Sequence, residues 1–111
     1  MMHNRLNSVP ATALETMADT LNMQPEPINI RSTGDHVALA ADALWRLACK
    51  TGLNRESERI DTVITDFLAN LLHLCEQTDP EGDVYGRFNA LLTTAMMHYE
   101  QEKTGDDSEL L

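Results

Sequence analysis

Three observations predict an all-α fold, a compact four-helix bundle-like single domain over residues 1–105 with an acidic tail at 106–111. Apolar residues recur at the i, i+3, i+4, i+7 spacing of an amphipathic helix in four segments. No segment shows the strict apolar/polar alternation of a half-buried strand. Proline or glycine punctuates the intervals between the segments. With 111 residues the chain suffices for one hydrophobic core, because a chain of this size buries only about two-thirds of its unfolded surface.

The first helix is read from SVPATALETMADTLNM. Ser8 can cap it, Pro10 suits a first turn that needs no N–H, and Leu14, Met17, Ala18 and Leu21 share a face. QPEPINIRSTG follows, where Pro25 and Pro27 forbid helix; it reads as a connector along the core in which Ile28 to Ile30 forms a brief extended segment. The second helix is expected from near Asp35, as cap, to Gly52, which readily takes the left-handed conformation just past a helix end. At about 100° per residue its apolar side chains cover well over half the circumference, leaving Asp42, Arg46 and Lys50 as a narrow polar strip. Such a helix is either central or part of an oligomer interface. A third helix, from about Ser57 to Gln77 with Asn54 or Ser57 as cap, carries a continuous apolar half-cylinder and stops before Pro80 and Gly82. The fourth, from about Asp83 to Lys103, is expected to bury Val84, Phe88, Leu91, Leu92, Ala95 and Tyr99, with TGDDSELL fraying after it.

A formal charge of −10 and a pI near 4.6 argue against direct nucleic-acid binding and against adhesion to anionic membranes, since both require a basic surface. No apolar run approaches the roughly 18 residues that cross a bilayer, and MMHNRLNSVP lacks the apolar region of a secretory signal, so a cytoplasmic location is expected. Cys49 and Cys75, each inside a predicted helix and outside any CxxC pair, read as two reduced, buried thiols.

The polar residues of the third helix fall into two groups. Asp66, Asn70 and His73 stand at i, i+4 and i+7 and line one stripe, whereas Cys75 lies about 160° from His73, so these two cannot share a metal ion. His98 belongs to the margin of the fourth helix's apolar arc. A metal or acid–base site uniting His73 and His98 with Asp66 would need the third and fourth helices antiparallel and in register. Asp61 falls at the edge of the apolar arc and forms an E-x-x-D pair with Glu58.

ERIDTVITDFLANLLHL resembles the second metal helix of all-α nucleoside-triphosphate pyrophosphatases of the MazG-like group. That resemblance implies that Glu58 and Asp61 hold a divalent cation. The upstream E-x-x-E helix of that group is missing from this chain, where the second helix offers only Asp35 and Asp42. A second resemblance covers the last 40 to 45 residues: TDFLANLLHLC and FNALLTTAMMHYEQE are similar to short uncharacterised α-helical proteins of bacterial mobile elements and phages. The match departs at Asn70, where an acid is expected, and at Phe67, where Leu is. It implies a His on each of two adjacent helices and a setting among accessory genes, and no activity.

The sequence contains no nucleophile elbow, phosphate-binding glycine loop or HExxH. It therefore predicts no catalytic, cofactor-binding or metal residue, and a small accessory protein that acts by protein–protein interaction. A homodimer is expected, formed through the second helix and exposed apolar residues, with Leu39, Trp45 and Met97 as its interface. Two alternatives stand beside it: a metal-dependent pyrophosphatase-like enzyme or its remnant, and an acidic DNA mimic that occupies a nucleic-acid-binding protein. The mimic draws on the stretch from Asp79 to Leu111, where eight acids stand against Arg87 and Lys103.

Overall fold

The computed structural model describes residues 5–109. Among them it has four α-helices and no strand, as the helical periodicity predicts: α1 (Ala13–Ala18), α2 (Thr33–Thr51), α3 (Ile60–Thr78) and α4 (Val84–Glu109). The chain forms two compact units, one running up to Phe67 and the other beginning at Leu68, within α3.

In the first unit the N-terminal segment differs from expectation. Pro10 does not open a helix; it sits in an isolated antiparallel bridge opposite Arg59. Ala11 N–H donates to Glu58 C=O at 2.8 Å and Ile60 N–H to Val9 C=O at 3.0 Å. The backbone before Ala13 thus spends its polar groups on the segment ahead of α3, and α1 shrinks to six residues flanked by 3-10 turns at Arg5–Asn7 and Asp19–Leu21. Ser8 is no helix cap, since its hydroxyl donates to Arg5 C=O at 3.0 Å. Thr12 Oγ donates to Glu56 Oε2 at 2.8 Å, a second tie between the N-terminal segment and the loop preceding α3.

α2 is fixed at both ends. Ser32, in extended conformation, accepts from Asp35 N–H, and Asp35 Oδ2 reciprocates by accepting from Arg31 N–H at 2.8 Å. Ser32 is therefore the cap, and Asp35 belongs to the first turn. At the other end Gly52 has φ 84°, and Leu53 N–H donates to Ala48 C=O at 2.9 Å, closing the left-handed stop that the glycine predicts. The core of this unit joins Ala11, Leu14 and Ala18 to Ala41, Leu44 and Ala48 of α2 and to Ile60 and Val63 of α3. Small side chains dominate it, so α1 and α2 approach closely, and Val63 is the largest side chain sealed completely. The connector after Pro25 contains no extended pair; Gln24, Glu26 and Ile28 instead line a cavity against α2.

In the second unit α3 ends with Asp79 N–H donating to Cys75 C=O, and the turn closes with Gly82 N–H donating to Asp79 C=O. Arg87 Nη2 lies 3.0 Å from Asp79 Oδ2 across that turn. α4 then continues six residues beyond Lys103; Gly105 weakens a helix by about 1 kcal/mol without stopping it. The expected tail from 106 is thus helical to Glu109, and Leu110 and Leu111 lie outside the described residues. The expected burial of α4 fails. Val84 and Phe88 are half-buried, whereas Leu91, Leu92, Ala95 and Tyr99 are exposed, because within this unit the part of α3 from Leu68 on does not pack along α4. Local contacts accompany the helix instead: the hydroxyls of Thr93, Thr94 and Thr104 each donate to the carbonyl four residues back, and Lys103 Nζ stands 5.2 Å from the Tyr99 ring centre.

Candidate functional site

Each polar residue singled out by spacing has a definite place. Glu58 precedes α3, whose first residue is Ile60, so Glu58 and Asp61 do not share a helix and the E-x-x-D pair loses its helical geometry. The cause is the bridge at Pro10 and Arg59, which holds residues 58–60 in an antiparallel pairing. Asp61, half-buried, occupies the first turn of α3, where a carboxylate complements the helix dipole. Asp66 is half-buried in the first unit, while Asn70 and His73 are exposed in the second. His98 is exposed on α4, and the side-by-side packing of α3 and α4 that a joint His73–His98 site requires is not formed. Among the described residues no group of three or more His, Cys, Asp or Glu side chains could hold a metal ion, and no buried side-chain polar atom lacks a partner. No helix among them is long and apolar enough to cross a membrane.

The thiols differ from each other. Cys49 is exposed rather than buried, because it lies about 100° around α2 from Ala48, which faces the core. Cys75 is half-buried and lines an open, mainly apolar cavity of about 310 Å³. Leu74, Thr78 and Leu91 complete its walls, with the Asp79–Arg87 ion pair at its polar side.

Of the expected interface residues, Leu39 and Trp45 belong to the first unit and Met97 to the second. Trp45 is half-buried and packs against the core of the first unit. Leu39, about 120° around α2 from Trp45, lines a cavity of about 290 Å³ with Asp42, Arg46 and the Gln24–Ile28 connector. Met97 is 58% exposed.

An extended apolar feature is left open on α4. Projected at about 100° per residue, Val84, Tyr85, Phe88, Leu91, Leu92, Ala95, Met96 and Tyr99 fall within one arc of about 140°, and Met97 lies outside it. Tyr85 is 70% and Leu91 55% exposed, and the end of α3 adds Leu74 at 60%. Helical periodicity finds this stripe but assigns it to a core. Comparison with protein-family models, curated proteins and solved structures returns no match for this chain.

Proposed function

We propose that this protein acts by binding another protein, as an accessory factor without a chemical step of its own. One observation carries the reading: α4 presents an uncharged apolar stripe four turns long to solvent. A contiguous apolar patch is unfavourable in water, and in a folded chain it marks a surface that a partner covers. The acidic composition keeps such a chain soluble while the stripe is open. A setting among the accessory genes of bacterial mobile elements, suggested by the resemblance of TDFLANLLHLC and FNALLTTAMMHYEQE, suits a small adaptor of this kind. The DNA-mimic version rests on charge alone and makes no use of the stripe. Self-association through Leu39 and Trp45 has less support than the helical projection suggests, because part of Trp45 is already used in packing against the core of the first unit.

The test is capture with the full chain as bait, followed by reconstitution with the purified captured protein and titration calorimetry. A saturable complex of fixed stoichiometry is expected. Capture of nothing above a tag-only control, together with saturable Mg²⁺ or Mn²⁺ binding that is lost in Asp61→Ala, would replace this reading with the metal-dependent enzyme.

A further inference from the structure

The stripe on α4 also constrains its occupant. From Val84 to Tyr99 it is free of charge and about 24 Å long. Acids stand at both ends: Glu81 and Asp83 before it, Glu100 and Glu102 after it, all exposed. The stretch from Leu68 onward holds half of the 18 acids in the chain but only two of the eight basic residues. Both bases are engaged, Arg87 with Asp79 and Lys103 over the Tyr99 ring.

This distribution disfavours a second copy. Laid parallel, a second α4 stripe brings each acidic end beside its own counterpart. Laid antiparallel, it brings Glu81 and Asp83 beside Glu100 and Glu102. Either orientation sets like charges together at both ends. The complementary occupant has an apolar centre of similar length with Lys or Arg on both sides, which is the pattern of a basic amphipathic helix. The cavity at Leu74, Cys75 and Leu91 lies at the α3 end of the stripe and has room for one large apolar side chain from such a helix. The exposed methionine of the stripe, Met96, supplies the adaptable contact that helix-binding surfaces use.

We infer that the α4 stripe, with the Leu74–Cys75–Leu91 cavity, is a docking surface for a basic amphipathic helix of another protein. The inference rests on the protein-binding reading and specifies the chemistry of the partner.

The probe is a synthetic 18-residue peptide with leucines at helical spacing, lysines at both ends, capped termini and a fluorescent label, titrated against the full chain by anisotropy. Two control peptides replace the lysines with glutamates or scramble the order. The Leu/Lys peptide should saturate, and both controls should bind at least tenfold more weakly. Leu92→Glu should weaken binding at least tenfold although it adds a negative charge, which separates apolar docking from plain attraction. Met97→Glu, outside the stripe, should stay within about twofold. A readout without substitution guards against a variant that fails to fold: the peptide should slow modification of Cys75 by a thiol reagent and leave that of the exposed Cys49 unchanged. Equal binding of the scrambled peptide, unchanged binding by Leu92→Glu, unprotected Cys75, or a sedimentation dimer abolished by Leu92→Glu would each overturn the inference. A natural partner whose binding survives Leu92→Glu would overturn it while leaving the proposed function in place.

Discussion

Ala48 is fully buried in the cluster that α1 and α2 share, so there is no room beside it for a longer side chain. Ala48→Leu is expected to destabilise the protein by about 1–3 kcal/mol through overpacking. Leu14→Ala, in the same cluster, should cost about 2–5 kcal/mol through lost burial and the void it leaves. The ends of α2 respond for different reasons. Ser32→Ala removes the acceptor for Asp35 N–H and should cost about 1 kcal/mol, whereas Ser32→Gly costs a few tenths. A Cβ at Gly52 meets nothing within 4 Å, yet at φ 84° Gly52→Ala should still cost about 1–2 kcal/mol, because the strain lies in the backbone. Urea unfolding followed by circular dichroism measures all five. Gly52 was legible as a stop because a glycine after a long apolar helix has one common use. Ser32 was less so, since RSTGD offers several capping residues and only the geometry selects among them.

The apolar face of each long helix can be read from spacing; what covers it cannot. α2 and the first turns of α3 are covered by α1 and by the segment around Pro10, and that segment is a pair of backbone hydrogen bonds with no side-chain periodicity to announce it. α4 carries its stripe over its first four turns only, so the helix as a whole is less amphipathic than α2 or α3, and the stripe has no cover in its own unit. The polar spacing on α3 was legible in the same limited sense: Asp66, Asn70 and His73 follow the stripe, but a shared stripe does not make a site. Because His73 and His98 are exposed, His73→Gln and His98→Gln should each stay within about 0.5 kcal/mol of the parent, and their effects should add. A double variant no worse than either single one would show that the imidazoles act together. The thiols offer a second check at this scale. Without denaturant both should react with a thiol reagent, Cys49 faster than the half-buried Cys75, whereas complete protection of Cys75 would mean that its cavity is closed in solution.

At the scale of the whole chain, burial is divided unequally between the two units. Among the described residues every buried apolar residue belongs to the first, from Ala11 to Val63, and α4 has no buried residue. Helical stability in proteins comes mainly from packing an apolar face, and local i, i+4 contacts contribute only about 0.2–0.5 kcal/mol each. The amides of α4 therefore exchange through local opening, whereas those in the middle of α2 exchange only when the core shared with α1 is lost. Native-state hydrogen exchange should show this directly, with the slowest amides between Ala41 and Ala48 and much faster exchange from Leu91 to Glu102. Leu14→Ala should speed the α2 amides and leave those of α4 nearly unchanged. The Leu/Lys peptide should do the reverse, slowing α4 and leaving α2 alone, because it supplies the apolar cover that the second unit lacks. Strong protection of α4 in the free chain would show that its stripe is already covered in solution, and the surface assigned to a partner would then belong to the core of the protein itself.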